Sequence, residues 1–434
     1  MIRKSLLATT FAWLFAGLVS GCGQQEDSAS PTSASSDNLE AIAYDAFIYA
    51  YPMMEQVKTV NGMIAFMNMT PNKVVMNTKL PRENVGMPIV APNLTSMTGG
   101  VFIDISQGPV TLQIPEVKDR YIVYQCVDVF THNFHYLGTR GNGGEAGQFV
   151  FHNASQTPPD NGATPIEMEG DHAVVVIRID IKNDDEYERV RAIQDAIQVV
   201  DAPTGSRPYP AYDEAKALSP DFVDYLNELL TEVPASETAL FERFAKIGVM
   251  SDVELSESDS AAIQRGIDRA YQAIQDASAE LIVGNDYFGA TEIFGTREFL
   301  DGNYLGRAAG AYFGLWGNSK EEANYFMVYV EGEGQIRFAD GELPPLTDVG
   351  FWSITAHDEN VHVQSNPYDS YVITADRAQF AEDGSLTVRF SSEPEEGNWL
   401  YTPGGKLVIL IRAYQADPEK IGDYVPPAFE PDSP

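Results

Sequence analysis

The residues best suited to acid–base chemistry lie close together in the first half of the chain. Asp128, His132 and His135 are followed by Arg140 on a glycine-rich stretch. An imidazole exchanges a proton near neutral pH, a carboxylate can orient that imidazole, and a guanidinium can bind an anionic group. These four residues are therefore the candidate catalytic groups of a hydrolase or lyase.

Histidine and methionine also raise the question of a metal site. The chain has 6 His and 12 Met, and eight of the Met fall between Met53 and Met97. His132 and His135 would suit zinc or iron and clustered thioethers would suit Cu(I), whereas the alternatives are hydrogen-bonded loop histidines and an irregular apolar core. The sequence has no His-Glu-x-x-His motif and no cysteine pair for a metal. We therefore predict no metal site, and no motif names a cofactor.

A second group of polar residues suits a binding cleft. A buried Asp128 beside Arg140 would be either a structural ion pair or the floor of a ligand site, and the structural role is favoured. The predicted ligand contacts are polar or aromatic residues in or beside apolar runs, namely Asn93, Asp104, Gln125, Arg307 and Trp352. Because pockets commonly lie at domain interfaces, a cleft between two β-domains is the expected site.

Three regions must position these residues. An apolar spacing of three and four from Leu39 predicts a helix that ends near Tyr51-Pro52. From about residue 84 the period changes to two, which predicts strands at 121–130, 148–152 and 173–180. Val101–Ile105 and Val110–Ile114 flank turn residues and are expected to form a hairpin. The glycine-rich stretch at 138–147 precedes a strand rather than a helix, so a loop is favoured over a dinucleotide site.

The second half returns from helices to strands. Residues 203–284 show helical spacing, and Ser256 with Asp259 predicts a helix start by mutual capping. Strands are predicted at 325–330, 351–357, 386–390 and 406–414, with a turn at Asp383-Gly384. His357, Asp358 and His362 form a weaker polar cluster near one of these strands.

The N-terminus predicts export and lipid anchoring. Arg3 and Lys4 precede an apolar run that is short for a membrane span, and the run ends at Leu18-Val-Ser-Gly-Cys22. This order predicts a signal peptide over residues 1–21, lipid on Cys22 (including palmitate) and a disordered tether over residues 22–38. The expected location is the bacterial cell envelope, with the lipid in the outer membrane and the protein facing the periplasm or the cell surface. Cys126 is then a buried, inert thiol within an apolar strand.

Charge limits the class of partner. The chain has 28 Lys+Arg against 63 Asp+Glu, a net charge of −35. A polyanion would be repelled by such a surface, so nucleic-acid binding is excluded. The remaining partners are the membrane through the lipid, a small molecule or glycan, and a second copy of the chain.

A family resemblance rests on motifs spread over the whole globular part. The chain resembles bacterial proteins that pair two domains of unknown function, numbers 1254 and 1214. The first pattern is matched by Tyr49-Ala-Tyr-Pro52, Val90-Ala-Pro-Asn93, Asp104, Gly108-Pro-Val110, Asp119-Arg-Tyr121, Gln125, Asp128 and Gly138-Thr-Arg140. The second is matched by Arg307, Gly314–Asn318, Pro344-Pro345, Phe351-Trp-Ser353, Asn366-Pro367, Asp383-Gly-Ser385, Asn398-Trp399, Arg412-Ala-Tyr414 and Pro426-Pro427.

The resemblance implies a mainly β fold: an N-terminal immunoglobulin-like β-sandwich, central helices and a C-terminal jelly-roll-like β-sandwich. The expected division is 39–202 for the first domain with its helix, 203–295 for the helical segment and 296–434 for the second domain. After the Pro-Asn the family often has Asn-Asp-Thr with a nearby Tyr, whereas this chain has Leu94-Thr95-Ser96. The functional hypotheses are a binding protein for a small molecule or glycan, an envelope hydrolase or lyase, and a structural protein that oligomerises.

Overall fold

Helices and strands follow one another in the order that the hydropathy periods predict. The computed structural model describes residues 36–81, 92–282, 288–289, 293–359 and 361–432. The signal peptide, the lipidation residue Cys22 and most of the tether lie outside the described residues. The last three tether positions, 36–38, are helical, so the tether was predicted slightly too long.

The first β-sandwich packs two sheets face to face. One sheet has the order β1-β2-β8-β4-β5 and the other has the order β7-β6-β3-β9. The strands are β1 (Val75–Met76), β2 (Ser96–Asp104), β3 (Val110–Ile114), β4 (Ile122–Asp128), β5 (Asn133–Gly138), β6 (Gly147–His152), β7 (Thr164–Glu167), β8 (His172–Asp180) and β9 (Gln198–Asp201). Alternate residues such as Val101, Cys126 and Ile177 fill the core between the sheets, because strand side chains alternate between faces. Burial raises the pKa of the Cys126 thiol, as expected for an inert cysteine.

The predicted hairpin of residues 101–114 is wrong. β2 pairs with β1 and β8, whereas β3 pairs with β6 and β9, so the two strands lie in different sheets. Asp104 accepts a hydrogen bond from the Ser106 N–H at 2.9 Å, and Gly108 has a φ of +142°. The turn residues are thus used to cross the sandwich rather than to return along the same sheet.

Seven α-helices lie in the described residues, and most of them pack on one another. They are α1 (Ser36–Met67), α2 (Tyr187–Ala196), α3 (Glu214–Ala217), α4 (Val223–Leu229), α5 (Thr238–Phe244), α6 (Glu257–Ile282) and α7 (Tyr304–Phe313). α1 packs along α6 and α7. Helices α1 and α6 come close together at Gly266 of α6, where an added Cβ would collide with the Glu40 carbonyl of α1. No helix in these described ranges combines the length and apolar character needed to cross a bilayer.

Two predictions about helix ends had opposite outcomes. The prediction that α1 ends at Pro52 is wrong, because the helix continues to Met67 with Pro52 inside it. Proline removes one helical hydrogen bond, but burial of the surrounding residues outweighs that loss. The capping prediction is confirmed: Ser256 N–H donates to Asp259 Oδ2 at 3.1 Å, and Asp259 N–H donates to Ser256 Oγ at 3.2 Å.

The second β-sandwich follows α7, apart from its edge strand β10, which precedes that helix. Its sheets have the orders β10-β11-β17-β13-β14 and β16-β15-β12-β18. The strands are β10 (Phe288–Gly289), β11 (Ala323–Glu331), β12 (Gly334–Phe338), β13 (Leu346–Asp358), β14 (Val372–Thr374), β15 (Leu386–Ser391), β16 (Asn398–Tyr401), β17 (Lys406–Ala416) and β18 (Phe429–Pro431). The mainly β fold class, with helices between two β-domains, is confirmed.

The two sandwiches meet through one sheet each. In the first sandwich the outer face of the β2-β8-β4 sheet carries Val176, Arg178 and Val123, because residues two apart share a face. In the second sandwich the facing side of the β11-β17-β13 sheet carries Tyr325 and Arg412. Val123 and Tyr414 belong to the same apolar cluster between the domains. The space between these two sheets contains the candidate site.

Candidate functional site

Asp128 and His132 belong to a buried polar network rather than to a cleft. Asp128 Oδ1 accepts hydrogen bonds from the N–H groups of Phe130 and His132, at 2.9 and 2.8 Å. The intervening Thr131 has a φ of +72°, so the carboxylate holds a tight turn. His132 Nδ1 lies 3.3 Å from Asp128 Oδ2, and both side chains are 4% exposed. The proximity predicted for these residues is found, but it serves a turn.

Arg307 joins this turn to the helices. Arg307 lies on α7, and its guanidinium donates to the Phe130 carbonyl at 3.2 Å and to the Tyr49 carbonyl at 2.9 Å. Its Nη1 also lies 3.2 Å from His132 Nε2. Burial lowers the pKa of Arg307. Arg307 therefore lies where α7, α1 and the Phe130 turn meet, and the contacts seen for it are with residues of the protein rather than with a ligand site.

The predicted pair of Asp128 with Arg140 is wrong. Arg140 Nε donates to Glu322 Oε2 at 2.7 Å, across the junction between the sandwiches. Glu322 also accepts from the Tyr121 hydroxyl at 2.8 Å and from Gln415 Nε2 at 2.8 Å. Arg140 thus helps to tie the two β-domains together, because Glu322 precedes β11 and Tyr121 precedes β4.

The other predicted residues are spread over the fold. The Asp104 carboxylate accepts a hydrogen bond from the Arg207 N–H and so holds the loop at Arg207 in place. His135 lies on β5, and burial lowers its pKa. Trp352 packs in the core of the second sandwich, so its predicted ligand contact is not supported by its position. Asn93 and Gln125 are the two predicted contacts that the structure brings to the interdomain space, where Asn93 Nδ2 donates to the Tyr414 hydroxyl at 2.7 Å. Gln125 Nε2 donates to the Gly317 carbonyl at 2.8 Å.

A cavity of about 160 Å³ lies between the two facing sheets. Its walls are mostly apolar and come from three parts of the fold. Helix α1 and the loop after it contribute Met63, Met67 and Met69, the first sandwich contributes Phe102, Val174 and Val176, and the second half contributes Phe313, Trp316, Met327 and Leu410. The continuation of α1 beyond Pro52 is what brings its methionines to this wall.

Polar groups gather at one side of this cavity. Arg178 enters from β8, and Arg412, Tyr325 and Tyr414 enter from the second sandwich. Tyr325 on β11 lies directly opposite Arg412 on β17 in the sheet register. Burial lowers the pKa of Arg412, and the positive charge of Arg178 acts in the same direction. The cavity therefore combines apolar walls with a positively charged, hydroxyl-bearing edge.

Two family models match this chain, one over the first β-sandwich and one over the second. One family model, "Protein of unknown function (DUF1254)", matches residues 71–201, and another, "Protein of unknown function (DUF1214)", matches residues 329–418. The chain thus has a match to each of the two families, in this order. The pairing inferred from the sequence motifs is thereby confirmed. The comparison with curated proteins finds no match.

The comparison with solved structures gives matches from two bacteria. The crystal structure of the VPA0106 protein from Vibrio parahaemolyticus has a TM-score of 0.70 and 19% identity, and the match covers 92% of this chain and 100% of that chain. An uncharacterized protein from Burkholderia cenocepacia has a TM-score of 0.46 and 12% identity, with coverage of 89% and 88%. The first likeness shows a shared fold for nearly the whole of this chain.

Sequence reasoning missed the charged edge of the cavity. Arg178 is the only arginine of β8 (His172–Asp180), and Arg412 is the only arginine of β17 (Lys406–Ala416). An arginine directly after an apolar run of a strand was the available signal, because such a charge needs a partner or a functional reason. Of the eight methionines considered for copper, Met63, Met67 and Met69 line the same cavity as part of its apolar wall. In the described part of the chain, no three His, Cys, Asp or Glu side chains come together as metal ligands would.

Proposed function

We propose that this protein is a lipid-anchored envelope protein that binds a small, largely apolar molecule in the cavity between its two β-sandwiches. The main support for this proposal is the cavity itself, which is lined by methionine, phenylalanine, valine and tryptophan side chains from both domains and from α1. Binding sites for small molecules are typically apolar concavities with a few polar groups that orient the ligand. A wall of this kind favours an apolar molecule over a glycan, whose hydroxyl groups need many polar partners.

The position of the cavity supports binding that depends on both domains. Met67, Val176 and Leu410 belong to three different elements and meet only because the sandwiches face each other. Glu322 and its partners hold the two domains together beside this space. A ligand between the sheets would add contacts with both domains and would stabilise their association.

The lipid anchor is supported by the order of residues at the N-terminus. Leu18-Val-Ser-Gly-Cys22 follows a basic and apolar leader, which is the order that lipoprotein processing requires. Mass spectrometry of detergent-extracted protein should find a lipid-modified Cys22 at the new N-terminus. A Cys22→Ser variant should leave the membrane fraction, and an unmodified Cys22 in the native protein would end this part of the proposal.

Indole is a suitable neutral probe for the cavity, because it is small, mostly apolar and uncharged. Calorimetric titration of the purified protein with indole should show saturable binding. Val176→Phe places a ring in the cavity and should abolish binding. The matched control is Val200→Phe, since Val200 lies on β9 and is 44% exposed. Equal binding of indole by both variants, or absence of binding by indole and by every other small, mostly apolar probe titrated, would contradict the proposal.

A further inference from the structure

The hydrogen bonds of Arg178 give the first indication of the ligand class. Its guanidinium donates to Gln125 Oε1 at 2.6 Å, to the Trp316 carbonyl at 2.8 Å and to Asn318 Oδ1 at 3.5 Å. These acceptors are all neutral, and they use fewer N–H groups than a guanidinium carries. Arg178 therefore keeps its positive charge and spare donors at the edge of the cavity.

The two tyrosines beside it also have hydrogens to donate. The Tyr325 hydroxyl accepts from Asn318 N–H at 3.2 Å and from Asn318 Nδ2 at 3.0 Å, and the Tyr414 hydroxyl accepts from Asn93 Nδ2. In the described structure these hydroxyls act as acceptors, so each retains its own hydrogen for another partner. The cavity edge thus presents donors from three side chains and, in Arg412, a second guanidinium.

The local charge is not balanced by an acid of the cavity wall. Among the described residues that line the cavity there is no Asp or Glu, although the chain as a whole has a net charge of −35. Glu322, whose pKa is raised by burial against the opposing charges of Arg140 and Arg178, is already bound to Arg140. A cation beside an apolar space is costly unless an anion accompanies it, and a carboxylate matches the planar fork of a guanidinium.

We infer that the cavity binds a small monocarboxylate, with the carboxylate against Arg178, Tyr325 and Tyr414 and the apolar body against the methionine and phenylalanine wall. This inference rests on the proposed function and names its ligand class. A cavity near 160 Å³ suits a body about the size of a benzene ring or a short alkyl chain.

Acids and their uncharged amides test the inference on the native protein. Benzoate and benzamide have nearly the same shape, as do hexanoate and hexanamide, and both acids are ionised at neutral pH. Calorimetric titrations at pH 7 should show at least one acid binding roughly tenfold or more tightly than its amide, since charge-assisted hydrogen bonds are the stronger ones. The pair that shows the preference also tells whether the body is aromatic or aliphatic.

Three variants assign that preference to Arg178. Arg178→Gln should reduce the advantage of the acid over its amide to less than about threefold, while the amide still binds. Arg178→Lys should restore part of the advantage, because it returns the charge without the fork. Arg337→Gln, at an exposed position on β12, is the matched control and should leave the acid affinity unchanged. Circular dichroism of each variant checks its fold.

The outcomes separate this inference from the proposed function. Equal binding of acids and amides, or binding of indole with neither acid, overturns the carboxylate inference and leaves the apolar site standing. An acid preference that persists in folded Arg178→Gln also overturns the assignment to Arg178. Absence of binding by indole, acids and amides together overturns the proposed function. If Arg178→Gln does not fold, the comparison of acids with amides on the native protein still decides the ligand class.

Discussion

His357 should make the stability of the protein depend on pH. It lies on β13 opposite Val408 of β17 and is 1% exposed. Burial lowers the pKa of His357 to about 3, and the positive charge of Arg412 acts in the same direction. The carboxylate of the next residue, Asp358, does not offset this, since it accepts from the His362 N–H at 2.8 Å and from Gln364 Nε2 at 2.8 Å. The folded state therefore keeps this imidazole neutral.

The sign and size of the effect follow from proton binding. In the unfolded chain the His357 pKa is near its ordinary value of about 6.5, so between pH 7 and pH 5 the unfolded state takes up a proton that the folded state does not. The free energy of unfolding must fall as the pH falls through this window. For an unfolded pKa of about 6.5 and a folded value near 3, the loss attributable to His357 is about 2 kcal/mol between pH 7 and pH 5.

Urea denaturation followed by tryptophan fluorescence measures this loss, because Trp352 lies in the core of the same sandwich. His357→Leu should lose about 2 kcal/mol less than the native protein between pH 7 and pH 5. His362→Leu is the matched control, since the His362 side chain is 44% exposed, and it should keep the native pH dependence. Equal losses in His357→Leu and the native protein would refute the idea of a neutral, buried His357.

Three further substitutions test the junction, a helix start and a turn. Glu322→Ala should lower the free energy of unfolding by about 3 kcal/mol in urea denaturation, because it leaves polar partners buried without an acceptor, whereas exposed Glu321→Ala should not. Ser256→Ala should cost about 1 kcal/mol by the same measurement, and Ser256→Thr should keep most of the stability because it retains the capping oxygen. Gly138→Ala should cost more than about 2 kcal/mol, because φ is +105° and the new Cβ would collide with a strand carbonyl. Gly108→Ala, at φ +142° in open space, should cost less, and equal losses at the two glycines would contradict the steric argument.

Local patterns predicted local structure well. Period two predicted the strands at 121–130 and 406–414, and the capping pair predicted the start of α6. These features depend on neighbours in sequence, so the sequence contains the relevant interactions. Pro52 shows the limit: the local preference against proline in a helix is overridden by packing against α6, which is some 200 residues away in the chain.

The candidate site is built from contacts between residues far apart in the sequence, which local sequence patterns cannot predict. Arg140 was expected beside Asp128, yet its partner Glu322 is 182 residues away. The turn at 105–109 has the same residues whether the chain returns to the same sheet or crosses to the other one, so the hairpin prediction had no local signal against it. Gln125 and Asn93 were identified as polar residues in apolar surroundings, and that signal did lead to the interdomain space.

The sequence by itself determined the periods, the inward and outward faces of the strands, the helical middle and the pairing of the two families. Tertiary structure alone decided that the outward face of one sandwich covers that of the other. Arg178 and Arg412 lie on different sheets, and each is the only arginine of its own strand. They share a cavity only because the sheets stack with α1 at their side, and that stacking is set by the total apolar surface buried among elements far apart in the chain.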